Sequence, residues 1–364
     1  MLRAGARHPD ADELEASTSR QHDQDVDVQM YATLNEYLQL EQKFQPRLCL
    51  PAGSENGEVT IGARDGAAHV LRCLKVWYDL PAEVLINAIN LFDRFLTKMK
   101  VRPCHIPCIT VSCMNIAIDQ RAEDTRQPRT VSVEELVSVS QSACTAGDVR
   151  RMSRVIGDKL ALAAHVRART ALHWLRLLHA LLARAAARLH MRLPPLQESE
   201  LVNLLEIAVC DASCVNARTS ELALVIIYHK LEEQLAEWSQ RESAAGGNTD
   251  SVYYLNDFAA QLQAHCNMSE ASLASTRGLM RAAQARYGAR GRAHPQRLVW
   301  RLSERTLKVL RPTDRLTSLL PTIEEQHFAV EQTPNRTRSG SESSESEETS
   351  DWPRSPVLPV YCNN

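Results

Sequence analysis

A chain of 364 residues is long enough, at roughly 150 residues per domain, for two packed domains with flanking segments. Gly 13 and Pro 16 together fall below the roughly 12 % of average usage, and aromatic residues make up only 5 %; turn formers and strand formers are both scarce, and a collagen-like chain is excluded. Lys+Arg 42 against Asp+Glu 44 gives a formal net charge of -2, which excludes polyanion binding by overall attraction and leaves charge to act by position.

Residues 1–26 hold Asp10, Asp12, Glu13, Glu15, Asp23 and Asp25 with hardly any apolar content, so a disordered acidic tail is expected. The stretch lacks the apolar run of a signal peptide, which predicts an intracellular protein with reduced thiols. From there apolar residues recur at the 3.6-residue period of a helix. Helices are expected over 28–45, 62–79, 79–100, 104–118, 132–142, 147–163, 167–191, 197–213, 216–236, 251–266, 269–287 and 294–310. Within 79–100, Leu85, Ile89, Phe92, Leu96 and Met99 form one stripe and Ala88, Leu91 and Phe95 its neighbour; so wide an apolar surface predicts a central helix surrounded by others. Pro81 is read in its first turn and Pro103 beyond its end. The apolar run at 171–189 is interrupted by Arg176, Arg184 and Arg188, which makes it amphipathic and no bilayer span. Gly246-Gly247-Asn248 reads as a loop, and Asn267 with Glu270 as a capping box.

The expected fold is all-α: two successive five-helix groups, 62–163 and 167–287, with a helix on either flank and disordered tails. No self-similar period of 30 to 45 residues supports an array of two-helix repeats. The domain reading is an acidic tail 1–26, an N-terminal helix and linker 27–61, a first fold 62–163, a second fold 164–290, a basic helix 291–316 and a tail 317–364. That last stretch is rich in serines and acids over 336–354; Thr333-Pro334 and Ser355-Pro356 suit proline-directed kinases, making Thr333 and Ser355 candidate phosphosites.

Two basic islands, 150–192 and 277–315, allow an electropositive face for phosphate or nucleic acid, or Arg stems covering apolar helix surface; the second is favoured. Aromatic residues near them are limited to Trp174, Tyr287 and Trp300, so base stacking and a nucleic-acid partner are poorly supported. Cys104, His105, Cys108 and Cys113, with Cys210 and Cys214, lack the C-x-x-C spacing of structural zinc, and buried small cysteines are the better account. No phosphate loop, nucleophile elbow or metal-ligand pair of histidines occurs, so neither catalysis nor a cofactor is expected.

INLFDRFLTKMKV (89–101) resembles the centre of the cyclin box. LNEYLQLEQKFQPRLC (34–49), GARDGAAHVLRCLKVWYDL (62–80) and RLVWRLSERTLKVLRPTDRLTSLLPTIEE (297–325) are similar to the G-type cyclins. The resemblance implies two stacked cyclin folds that act without catalysis as a docking surface, usually for a cyclin-dependent kinase, in nucleus and cytoplasm. It also implies that Arg64 and Asp93 pair as an internal link between helices. At the positions where cyclins present a Lys and a Glu to the kinase, this chain has Asp119 and Ser153. No Lys occurs between Lys100 and Lys159, and Arg121 is the nearby candidate to substitute. Loss of one charged partner at a desolvated interface costs about 2–5 kcal/mol, so kinase binding is expected to be weak or atypical. The family's docking groove for kinase substrates matches Ala63, Gly66, Ala67 and Val70, small residues that predict a shallow surface.

Leu320-Pro321-Thr322-Ile323-Glu324-Glu325 resembles the L-x-x-I-x-E motif that docks on B-prime regulatory subunits of protein phosphatase 2A. Leu320 and Ile323 would fill two apolar pockets and Glu325 would meet a basic groove. The expected function is a regulatory adaptor that recruits this phosphatase. An orthodox kinase activator and a cyclin-fold nucleic-acid-binding factor are the alternatives.

Overall fold

The computed structural model describes residues 9–53, 57–163, 167–188, 196–242 and 250–293. These form eleven α-helices and two single 3-10 turns, with no strand among the described residues. Two apolar cores organise them. The first belongs to α2 (Ile61–Trp77), α3 (Ala82–Lys98), α4 (Ile106–Thr125), α5 (Val133–Ser140) and α6 (Ala146–Leu160). The second belongs to α7 (Ala171–Arg188), α8 (Glu198–Cys210), α9 (Thr219–Glu242), α10 (Asp250–His265) and α11 (Glu270–Ala293). This is the all-α pair of five-helix groups expected from the periodicity, and α1 (Pro9–Phe44) is the flanking helix. The expected C-terminal helix 294–310 lies outside the described residues.

The stripe on α3 behaves as its width predicts. Leu85, Ala88, Ile89, Leu91, Phe92 and Phe95 are all buried, and α3 packs on α2, α4 and α6 within its own group and on α7 and α8 across the seam. Pro81 is the N-cap residue just outside α3 rather than part of its first turn. Helix α4 runs past the expected end at 118, because the following polar residues are mostly good helix formers and the stop comes only at Arg126, which adopts a left-handed conformation.

Helix α1 begins at Pro9, inside the stretch expected to be a disordered tail. A proline followed by acidic residues is the composition of a helix start as well as of a tail, and composition alone does not separate the two. Although α1 precedes the first group in the chain, it packs on the second: Leu34 joins that core, and the Tyr37 ring stands edge-on to Trp174 of α7 at 5.5 Å. Glu41, 6 % exposed, secures this placement. Its carboxylate accepts from Arg218 Nη2 at 2.8 Å, Thr219 Oγ1 at 3.1 Å and the Ser220 backbone N–H at 2.7 Å, so α1 supplies the anion at the N-terminus of α9.

Local chemistry fixes several helix starts, those of α5, α6 and α11 among them. Ser132 with Glu135 caps α5, and Thr145 with Asp148 caps α6, each as a reciprocal capping box. At α11 the cap is Ser269, whose hydroxyl accepts from Ser272 N–H, and not Asn267; that residue instead takes a positive φ of 51° and ends α10. The hydroxyl and N–H of Thr145, with Arg151, hold the Asp148 carboxyl down to about 2. A depressed folded-state pKa contributes stability above pH about 4 that is lost as pH falls towards 2. We expect Asp148→Asn to flatten the pH dependence of urea denaturation in that window; an unchanged slope would mean that the cap does not report on folding.

Candidate docking surfaces

The seam between the two groups is built from charged side chains on one face of α2. Arg64 Nε donates to Asp93 Oδ1 of α3 at 2.9 Å and Arg64 Nη2 to Asp93 Oδ2 at 2.6 Å, a two-pronged pair in which the residues are 1 % and 4 % exposed. Nη2 also donates to the Val209 carbonyl of α8 at 2.8 Å, and the neighbouring Asp65 accepts from Ala212 N–H at 2.8 Å. Burial opposes the charge on Arg64, but Asp93 outweighs it and holds the guanidinium above its ordinary pKa. Further along the same face, Lys75 Nζ donates to Glu206 of α8 at 2.7 Å, and Arg72 Nη2 to the Tyr287 hydroxyl of α11 at 2.9 Å. The sequence reading found the Arg64–Asp93 link but missed its extension to the second group. The signal available was positional: Arg64, Arg72 and Lys75 fall on one side of a 3.6-residue helix.

The two positions expected to face a kinase lie together. Asn115, buried on α4, donates to Asp119 Oδ2 at 3.4 Å and to Ser153 Oγ of α6 at 3.2 Å. The cation that completes this site is Arg129, from the segment between α4 and α5. Its Nη2 donates to Asn115 Oδ1 at 2.6 Å, its Nη1 pairs with Asp119 and its Nε with the Val131 carbonyl. Arg121, the expected substitute, is engaged elsewhere, donating to Glu83 Oε2 of α3 at 2.9 Å. The reason is geometric: two positions beyond Asp119 on the same helix, Arg121 points well round the helix from it, and only a residue returning after the helix end reaches back.

Of the four small residues matched to the family's substrate groove, Gly66 and Ala67 are buried in the first group and Ala63 and Val70 are half-buried against its core.

Among the described residues, the basic side chains of the two islands are largely paired with carboxylates distant in sequence. Arg169 pairs with Glu36 at 3.2 Å, Arg176 with Glu198 at 2.8 Å, and Arg184 and Arg188 with Asp27 of α1. Arg277 pairs with Glu232 at 2.8 Å and Arg286 with Asp211 at 2.8 Å; the island beyond Ala293 lies outside the described residues. Intramolecular pairing lowers the positive charge that these residues would offer to a nucleic acid.

Among the cysteines, Cys113, Cys210 and Cys214 are buried as expected, whereas Cys104 is exposed and Cys108 and Cys144 are half-buried. Among the described residues no group of three His, Cys, Asp or Glu side chains is placed to hold a metal ion, and no helix is long and apolar enough to cross a membrane. Leu320, Ile323, Glu325, Thr333 and Ser355 lie outside the described residues.

Comparison with known proteins bears on this arrangement. Residues 32–163 match the family model for the cyclin N-terminal domain. The chain is 37 % identical over 362 residues to Cyclin G of Drosophila melanogaster, covering 96 % of this chain and 59 % of that protein, so it spans under two thirds of that relative's length. It is 30 % identical to Cyclin-G2 of Mus musculus, covering 82 % of each chain, and 30 % identical to Cyclin-G1 of Bos taurus, covering 80 % of this chain and 94 % of that one. With two stacked five-helix groups and this likeness along most of its length, the chain belongs to the cyclin family, among the G-type cyclins.

Proposed function

We propose that this chain is a non-catalytic adaptor that recruits protein phosphatase 2A by docking Leu320, Ile323 and Glu325 on a B-prime regulatory subunit, and that it holds a cyclin-dependent kinase weakly. The observation that carries the phosphatase reading is the run Leu320-Pro321-Thr322-Ile323-Glu324-Glu325. An extended peptide bearing Leu and Ile three positions apart can fill two apolar pockets, and Pro321 lowers the freedom lost on binding. Glu324 and Glu325 supply the negative charge that a basic groove selects.

The reading of weak kinase binding rests on Arg129. Arg129 spends three of its five N–H donors on Asp119, Asn115 and the Val131 carbonyl, and Ser153 has no charge to offer. To turn Arg129 fully towards a kinase, these bonds would have to break first.

The test is a pull-down of the B-prime subunit with the full chain. Replacing Leu320 and Ile323 together by Ala is expected to cut recovery at least about tenfold with an unchanged circular dichroism spectrum, since two apolar anchors are each worth on the order of 1–2 kcal/mol. Undiminished recovery would discard the phosphatase reading.

A further inference from the structure

The end of α1 and the last turns of α3 enclose a cation that no anion among the described residues meets. Arg94, on α3, is 7 % exposed, and its guanidinium lies over the Phe44 ring of α1 at 4.9 Å. Its neighbour Asp93 is turned to Arg64, and among the described residues no carboxylate or carbonyl accepts a hydrogen bond from Arg94. One turn earlier on the same face, the buried carboxamide oxygen of Asn90 has no donor among the described residues. Exposed basic residues flank the two. Lys43 precedes Phe44, the Arg47 N–H donates to Thr97 Oγ1 at 3.1 Å beside the end of α3, and Lys98 Nζ donates to the Lys159 carbonyl at 3.2 Å. Unlike Arg169, Arg176 and Arg277, none of these three forms an ion pair among the described residues.

We propose that Arg94 and Asn90, with Lys43, Arg47 and Lys98 at the rim, form a site for an acidic peptide, and that its occupant is the segment 341–351 of this same chain. The two orphaned groups select this chemistry. A guanidinium donates two parallel hydrogen bonds to a carboxylate, whereas an amide oxygen accepts only from an N–H or O–H. An acidic residue in an extended peptide supplies the carboxylate and the backbone N–H together. A fully ionised bare anion would satisfy Arg94 and leave the Asn90 oxygen without a donor. Burial without an anion pushes the Arg94 guanidinium down to about 10, so the empty site carries a desolvation cost that a bound carboxylate relieves.

Charge and reach favour the chain's own segment. It carries Glu342, Glu345, Glu347, Glu348 and Asp351 and neither Lys nor Arg, so it complements a rim of three basic residues. The connecting residues 294–340 span on the order of 150 Å when extended, enough to bring the segment to any face of the two groups. Tethering holds it at an effective concentration of about millimolar, at which contacts too weak for a separate peptide persist. The inference is independent of the phosphatase reading, which concerns Leu320, Ile323 and Glu325 only.

The experiment uses the full chain at low salt. Carbodiimide joins amines to carboxylates already in contact, and mass spectrometry of the monomer is expected to show Lys43 or Lys98 linked to the peptide that carries Glu342 and Glu345. In a second protein the five acids of the segment are replaced by Gln or Asn, which empties the site. A fluorescent synthetic peptide of residues 340–351 is expected to bind this protein at least about tenfold more tightly than it binds the parent, whose site is filled. Adding Arg94→Met is expected to remove that gain, and Arg94→Lys to return only part of it, because a single ammonium replaces a two-pronged fork. Circular dichroism shows that each variant folds; should Arg94→Met not fold, Lys43→Gln with Lys98→Gln, both exposed, is expected to weaken the peptide several-fold. Equal peptide binding by the parent and the neutralised chain, binding untouched by Arg94→Met in folded protein, or absence of the lysine links would each overturn the proposal. Displacement of the peptide by an equal concentration of inorganic phosphate would overturn it too, by showing a site for bare anions.

Discussion

Replacing Asp93 by Ala is expected to cost about 3–5 kcal/mol of folding stability, a large part of the roughly 5–15 kcal/mol that a protein typically has. The loss comes less from the missing attraction than from what remains. Arg64, 1 % exposed, would keep its charge with only Asp65 and the Val209 carbonyl as partners, in a seam from which water is excluded. Removing both charges together, as Arg64→Met with Asp93→Leu, is expected to be much milder than Asp93→Ala alone, because a buried pair replaced by apolar groups leaves no orphan. Urea denaturation of the three proteins reads this directly. If Asp93→Ala falls within about 1 kcal/mol of the parent, the buried pair is not what holds α2 on α3.

Much of this fold was legible because one helix carries its own evidence. The double stripe of α3 predicted a helix covered on most sides, and burial of Leu85, Phe92 and Phe95 follows from that width. The start of α6 was legible in principle too, since Thr145 and Asp148 have the spacing of a capping box; Asn267, by contrast, drew attention to a cap that Ser269 provides. Pairings across long sequence separations were not legible. Nothing local in the sequence ties Asp27 to Arg184, or Glu41 to the start of α9, because those contacts exist only once α1 lies on the second group. The described part of the two basic islands therefore looked free when much of its charge was spoken for. Arg129 was missed for a related reason. Spacing along α4 pointed to Arg121, whereas the chain reverses after the left-handed Arg126 and delivers the cation from the segment beyond.

That reversal leads to the second expected result. If self-satisfaction of the Arg129 site limits kinase binding, then converting it should restore binding. Asp119→Lys with Ser153→Glu rebuilds the two charges that cyclins offer to a kinase, and Arg129→Ser removes the guanidinium that would otherwise repel the new lysine and compete for the new glutamate. A close charge pair engaged at a desolvated interface is worth about 2–5 kcal/mol, so capture of a cyclin-dependent kinase by the triple variant is expected to rise at least about tenfold over the parent. Arg129→Ser alone should leave capture low, since it vacates the site without supplying a donor. The comparison separates an occupied site from a missing one: a rise with Arg129→Ser alone would mean that the arginine merely blocks access. No rise in the folded triple variant would place the limit on kinase binding elsewhere on the surface, and the weak-kinase reading would then have to stand on residues other than Asp119 and Ser153.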